Sequence, residues 1–421
     1  MKNLILLLGL TVCIGNTFAQ EIPENLTNEE KIYGLSKVWK EADKNFVFFD
    51  QVADLDWDKT YQEYIPKVLE TKSTYEYYKK LQEFCSLLND GHTRVVVPWQ
   101  LRKIHEVSPA LKTQLIDNKL IITEIQNDTI NKMGLSEGME IIKINGFEVH
   151  EYAAKNVKPY VFYSTPQDME VQIYEYNLLR GHVEKSLEIK TQKGKSYSIS
   201  RKLSKSASEL PIFEFELMNH IGYLKINRFW GENWEAHFDS IFQEIKKVPE
   251  LIIDVSENQG GNSYYANYIL SHFVDKRFET SRWKTIMYMP AYASWGFTTQ
   301  WQDNSGEIVE PVEASKRFTK PVVVLISEKT YSAAEDFVSA FMNTDRGLVI
   351  GRPTAGTTGN PIGFELPGKG GFQACSKRDY LSNGKEFVGY GIEPDKTISK
   401  TNNKNHLINA GIKILKGDKN R

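Results

Sequence analysis

Cysteine is scarce in this chain, with three in 421 residues. That excludes a fold stapled by a dense disulfide framework. Cys13 lies in the leading segment, which leaves Cys85 and Cys375, two thiols far apart in sequence that are either paired or separately buried. Clusters of His, Cys and Asp at zinc-binding spacing are missing too, so no metal and no cofactor is expected. An excess of charge of one sign is also lacking: 52 basic side chains face 54 acidic ones, a formal net charge of -2. This balance removes any global electrostatic reason to expect nucleic acid or an anionic membrane as partner. Long apolar runs are confined to the start of the chain, and that run is too short and too early for a membrane span.

What is present begins with "MKNLILLLGLTVCIGNTFAQ", a lysine, a short apolar run and then small residues at Thr17 and Ala19. The pattern predicts a secretory signal over residues 1–19, cleaved after Ala19, and so export to a periplasm or the exterior, with no membrane span once it is removed. Bulky Val12 argues against lipid attachment at Cys13. Beyond it, 41% apolar and 25% charged residues describe a globular protein long enough for two or three domains.

Residues 20–105 read as a helical region. Ile32, Leu35, Val38, Ala42 and Phe46 recur at helical spacing, and a second helical stretch, "YEYYKKLQEFCSLLNDG", is expected to end at Gly91. "HTRVVVP" then reads as a strand opened by His92. Residues 106–203 are β-rich, with short strands broken by Asn, Asp and Gly. Within them "MGLSEGMEIIKINGFEV" resembles the core of a PDZ domain, which implies capture of an extended peptide as an added strand. The other reading is any small β-barrel with a turn at Asn145-Gly146.

From residue 204 to 421 strands and helices alternate: "LIIDV", "SYYANYILSHFV", "PVVVLI", "SAAEDFVSAFMNT", "GLVIG". Strands apolar throughout predict a mostly parallel sheet covered on both faces. Ligands of such sheets sit beyond the carboxyl ends of the strands, where the Gly260-Gly261 loop and the Ser332 loop emerge.

Ser332 and Glu335 form the S-x-x-E pattern of a helix capping box. The same position suits a nucleophile, because helix amides and dipole favour negative charge developing beside it. Both readings stay open on pattern alone. Of eight histidines, only His92 in "LNDGHTRV" stands where rigid elements could hold a base facing a cleft.

Together "LNDGHT", "LIIDVSENQGGN", "TYSAAEDF", "GRPTAGTTGNP" and "GYGIEPD" resemble, in order and spacing, the tail-specific or C-terminal processing serine peptidases, tricorn-core-like branch. The resemblance implies an α/β, crotonase-like catalytic domain of ββα repeats, with an N-terminal helical region and an inserted PDZ-like β-rich domain. It implies Ser332 as nucleophile, His92 as general base, and an oxyanion hole from Gly260, Gly261 and Ala333. Substrates would be peptides or unfolded proteins. The lysine used as base in another branch is replaced by Thr357, with Lys369 a distant fallback. The serine and glutamate that accompany the histidine in the tricorn-like branch are replaced by Gly91 and Val388, which leaves Glu386 or Asp395 to orient His92. Gln259 stands where a glycine is usual.

The aromatic stretch "RWKTIMYMPAYASWGFTTQW" reads either as a wall or lid of the substrate groove or as a cover over the sheet. A non-catalytic peptide or hydrophobic-ligand binding protein on the same scaffold is the alternative function. An α/β-hydrolase is disfavoured because Thr330 stands where G-x-S-x-G needs glycine. Export disfavours acyl-CoA chemistry.

Overall fold

The structure, a computed structural model, describes residues 22–203 and 210–417. The signal expected at 1–19 lies outside the described residues. Among these residues no helix is long and apolar enough to cross a membrane.

Three helices come first: α1 (Asn28–Asn45), α2 (Trp57–Leu69) and α3 (Thr74–Ser86). Thr27 and Glu30 close a capping box at the start of α1, and its periodic residues Leu35, Val38 and Ala42 are buried. α3 ends earlier than expected, at Ser86. Asn89, not Gly91, takes the left-handed backbone that follows it, at φ 50°. Strand β1 (Arg94–Val96) then pairs antiparallel with Gly370–Ala374, Arg94 opposite Gln373, so the segment after His92 is tied to chain from the far end of the sequence.

The β-rich unit is an antiparallel sheet ordered β2 (Leu111–Ile116), β3 (Lys119–Ile125), β4 (Glu140–Ile144), β5 (Leu187–Thr191) and β6 (Ser196–Ile199). Asn145 and Gly146 both take positive φ, 48° and 88°, which makes the tight turn between β4 and Phe147–Glu148. Ile122, Ile144, Leu187 and Ile199 belong to a core separate from that of the larger sheet. Between β4 and β5 runs an α-helical turn, Pro166–Glu170, that continues as a π-helix, Val171–Asn177. Thr165 caps it by accepting the Asp168 N–H at 3.1 Å.

The larger sheet has the order β12 (Lys396–Thr397), β11 (Gly347–Gly351), β10 (Val322–Ile326), β9 (Leu251–Asp254), β8 (Ile221–Ile226), β7 (Phe213–Met218). All neighbours are parallel except β7 and β8, which form a hairpin. Every residue of β9 and β10 is buried. The reason is cover on both sides: α4 (Trp234–Ile245), α5 (Ser263–Ser271) and α6 (Ala333–Met342) pack on one face, and α7 (His406–Leu415) lies over Ile252, Val323 and Leu325 on the other. Asp254 and Leu325 are in register, so the loops that follow β9 and β10 leave the same sheet edge side by side.

The aromatic stretch adds no strand to that sheet, though Ile286 and Trp301 pack against the main core. It forms a two-stranded ribbon, Arg282–Met287 with Gln300–Asn304, whose inner strand pairs with Arg378–Tyr380. Tyr292, Trp295 and Phe297 at its tip are exposed and touch one another. Cys85 and Cys375 are both buried and unpaired.

Candidate active site

Ser332 sits between β10 and α6 at φ 56°, ψ −125°, a backbone conformation that strains a residue with a Cβ. The surrounding loops enforce it. Thr330 donates its hydroxyl to the Val255 carbonyl at 2.9 Å, Tyr331 N–H donates to the Asn258 carbonyl at 3.0 Å, and Ser332 N–H donates to the Thr357 carbonyl at 3.0 Å. Ser332 and Glu335 hold capping-box positions, with Glu335 Oε2 accepting the Ser332 N–H at 3.3 Å, while the partner of the Ser332 hydroxyl is His92. The Glu335 N–H goes to the Ser332 carbonyl at 2.7 Å, which leaves the hydroxyl free for His92.

His92 Nε2 lies 3.2 Å from Ser332 Oγ, across 240 residues of sequence. The imidazole is 7% exposed. Burial, with the charges of Arg94 and Lys377 adding to it, pushes its pKa down to about 3, so the ring is neutral at physiological pH. A neutral ring with Nε2 facing a hydroxyl has the position and the protonation state that a proton acceptor needs. Its Nδ1 is buried with no hydrogen-bond partner among the described residues. Neither expected orienter reaches it. Glu386 binds Arg378 through both carboxylate oxygens, at 2.6 and 2.9 Å, and Asp395 accepts the Val349 N–H at 2.8 Å. Both carboxylates are bonded to partners on neighbouring strands. Lys369 occupies the exposed turn of the 362–374 hairpin at φ 68° and is not brought to Ser332. Val388 is buried in the core.

The three residues expected to form an oxyanion hole part company. Gly260 N–H already donates to Asn258 Oδ1 at 2.8 Å, so its amide is not available. Gly260 matters as a glycine: at φ 91° a Cβ there would stand 2.7 Å from both Ser332 Cβ and the Tyr331 carbonyl. The amides of Gly261 and Ala333 have no hydrogen-bond acceptor among the described residues. Those two donors, beside a strained serine at a helix start, suit an anionic oxygen.

Other residues complete the site: Glu335, expected only as a capping partner, and several that pattern reading did not single out. Glu335 is fully buried and accepts from Thr354 Oγ1 at 2.5 Å and from the N–H groups of Gly356 and Thr357 at 2.7 Å each, fastening the 354–357 loop to the first turn of α6. Burial pushes its carboxyl up to about 8 against the pull of these donors. The β-rich unit reaches in as well. Ser164 Oγ accepts the Gly91 N–H at 3.0 Å and donates to Asp90 Oδ1 at 3.1 Å. Asp168 accepts from Ser164 N–H at 3.1 Å and Thr357 Oγ1 at 3.4 Å, and Gln259, next to Gly260, donates to Tyr176 at 2.8 Å. The run "TPQD" at 165–168 is visible as a helix start, but nothing in it signals what it touches.

A model of peptidase family S41 matches residues 220–398, and one of the tricorn protease C1 domain matches residues 28–86. The carboxy-terminal processing protease CtpA of Bacillus subtilis is 25% identical over 239 residues, which cover 56% of this chain and 44% of that protein. The chain spans less than half the length of the curated relatives it matches. Among solved structures, mature CPAF has a TM-score of 0.67 at 15% identity, covering 92% of this chain and 96% of that one. The photosystem II D1 C-terminal processing protease has a TM-score of 0.53 at 17% identity, covering 93% and 99%. These likenesses show a shared mixed α/β fold.

Proposed function

Because the chain belongs to peptidase family S41, we propose that it is an exported serine peptidase that hydrolyses peptide bonds through an acyl-enzyme. The observation that carries this reading is the 3.2 Å approach of His92 Nε2 to Ser332 Oγ. His92 takes the hydroxyl proton while Ser332 Oγ bonds to the peptide carbonyl carbon, and the carbonyl oxygen becomes an oxyanion beside the Gly261 and Ala333 amides. His92 then gives the proton to the leaving amine as the C–N bond breaks. Water, deprotonated by the same ring, hydrolyses the ester and returns Ser332.

In this reading residues 204–421 are a crotonase-like core, residues 106–203 are a PDZ-like unit that recruits a peptide or unfolded protein by its C-terminus, and the leader at 1–19 sends the chain out of the cytoplasm. A fluorophosphonate probe tests the chemistry: Ser332 Oγ displaces fluoride from phosphorus. Labelling of the wild type that is lost in Ser332→Ala, with cleavage of a mixed peptide library lost in parallel, is the expected result. The unpartnered Nδ1 of His92 favours one alternative, a non-catalytic binder on the same scaffold. Absence of labelling and cleavage in folded wild-type protein would select it.

A further inference from the structure

We propose that Asp168 is a positioning residue of this active site: the β-rich unit supplies a buried carboxylate that anchors Thr357 and fills the space beside Gly91, and so holds Ser332 and His92 in register. The inference rests on the Ser332–His92 reading.

The geometry comes from both sides of the pair. On the Ser332 side, the Thr357 hydroxyl lies 3.4 Å from both Asp168 Oδ2 and the Ala355 carbonyl and is shared between them, and the carbonyl of Thr357 is the acceptor of the Ser332 N–H. On the His92 side, a Cβ at Gly91 would lie 2.3 Å from the Tyr331 hydroxyl, 2.8 Å from Thr357 Cγ2 and 3.2 Å from Asp168 Oδ2. Residue 91 is where the tricorn-like pattern has a serine next to its histidine. Here Tyr331, Thr357 and Asp168 crowd the place that a side chain from residue 91 would take. Ser164, bonded to Asp168 through its own N–H, holds the Gly91 amide. One carboxylate is therefore one contact away from both halves of the constellation.

Asp168 is 1% exposed, and its described partners are neutral donors: Ser164 N–H, Gln172 Nε2 at 3.1 Å and Thr357 Oγ1. The titratable groups facing it are Asp90 from the His92 loop, the Tyr331 phenol from the Ser332 loop and the Tyr176 phenol from its own segment; none of the three is a cation. A carboxyl buried without a balancing charge is costly to the fold, and such costs are characteristic of functional sites. The π-helix that begins at Val171 is a second such mark. Burial raises the Asp168 pKa to about 7. The ionised form accepts stronger hydrogen bonds than the protonated one, so positioning weakens on acidification through neutrality.

The test measures the maximal rate and half-saturating concentration of fluorophosphonate labelling from pH 5 to 9, with thermal midpoints alongside. Asp168→Asn is expected to lower the maximal rate at pH 8 about tenfold with half-saturation unchanged, and to abolish an acid limb near pH 7 seen in the wild type. Thr357→Val, which removes the hydroxyl from the other side, is expected to lose rate similarly, and Thr357→Ser to recover most of what Thr357→Val loses. Wild-type rates and a wild-type pH profile in both Asp168→Asn and Thr357→Val overturn the role of Asp168 alone. So does a rate loss no larger than the loss of folded protein. No labelling of the wild type overturns the serine-peptidase reading and this inference together.

Discussion

Glu335 and Thr357 share the Ser332 N–H and hold each other: that N–H donates to the Thr357 carbonyl at 3.0 Å and to Glu335 Oε2 at 3.3 Å, and the same Glu335 oxygen accepts the Thr357 N–H at 2.7 Å. Glu335→Gln replaces an acceptor oxygen with an NH2 group facing donors. At least one buried N–H then loses its partner, at a cost of about 1–3 kcal/mol. The expected outcome is a lower denaturant midpoint with unchanged slope, together with labelling slowed about a hundredfold. A full-rate variant of wild-type stability would show the contact to be dispensable.

The low pKa of His92 makes its own prediction. The imidazole, held near 3 chiefly by burial, stays neutral well below the pH at which an exposed histidine charges. Ring nitrogen shifts in 15N NMR should show no protonation of His92 between pH 8 and pH 5, while exposed histidines titrate. His92→Gln should cut turnover at least about a thousandfold.

Gly260 is predicted to be irreplaceable for two independent reasons. Its φ of 91° strains any residue with a Cβ, and the added methyl would strike Ser332 Cβ and the Tyr331 carbonyl. Gly260→Ala is expected to cost about 1–3 kcal/mol of stability and to displace Ser332 enough to remove most activity, read by calorimetry and probe labelling.

At Gly91 the obstruction has a named source. Gly91→Ser restores the residue type of the tricorn-like pattern but drives a Cβ to within 2.3 Å of the Tyr331 hydroxyl. Overpacking of this kind costs about 1–3 kcal/mol. Adding Tyr331→Phe removes the nearest atom, so the double variant should regain part of the thermal midpoint that the single one loses; strict additivity would show the clash to lie elsewhere.

Stability should also fall as pH rises. Asp168 and Glu335 hold protons more tightly in the folded chain, up to about 7 and about 8, than in the unfolded one. Their contribution is complete below the unfolded carboxyl range near pH 4. It is lost as pH climbs toward the folded values, at about 1.4 kcal/mol per pH unit for each group. Thermal midpoints from pH 5 to 8 should decline, and less steeply in Asp168→Asn.

The sheet was legible because burial on both faces writes itself into a strand as an unbroken apolar run: "LIIDV" and "PVVVLI" became β9 and β10, and their loops carried Gly260 and Ser332 to one edge. His92 was legible through motif order, since the antiparallel pairing of β1 with Gly370–Ala374 that brings it there has no local signature. The end of α3 was misread because an Asn can take the left-handed turn usually given to Gly. Glu386 was an attractive orienter until Arg378 claimed it. Asp168 and Ser164 were invisible for a different reason: the partners that tie them to the His92 and Ser332 loops lie about 75 to 190 positions away, and a π-helical turn has no periodicity to read.

The thirteen or so residues from Ser164 to Tyr176 touch the loop of His92, the loop behind Ser332 and the loop of Gly260 at once. The β-rich unit is therefore no interchangeable cassette. Excising it for a short linker, or grafting in a homologous unit without this bridge, should leave a core that still builds its parallel strands but has lost the brace that aligns its chemistry.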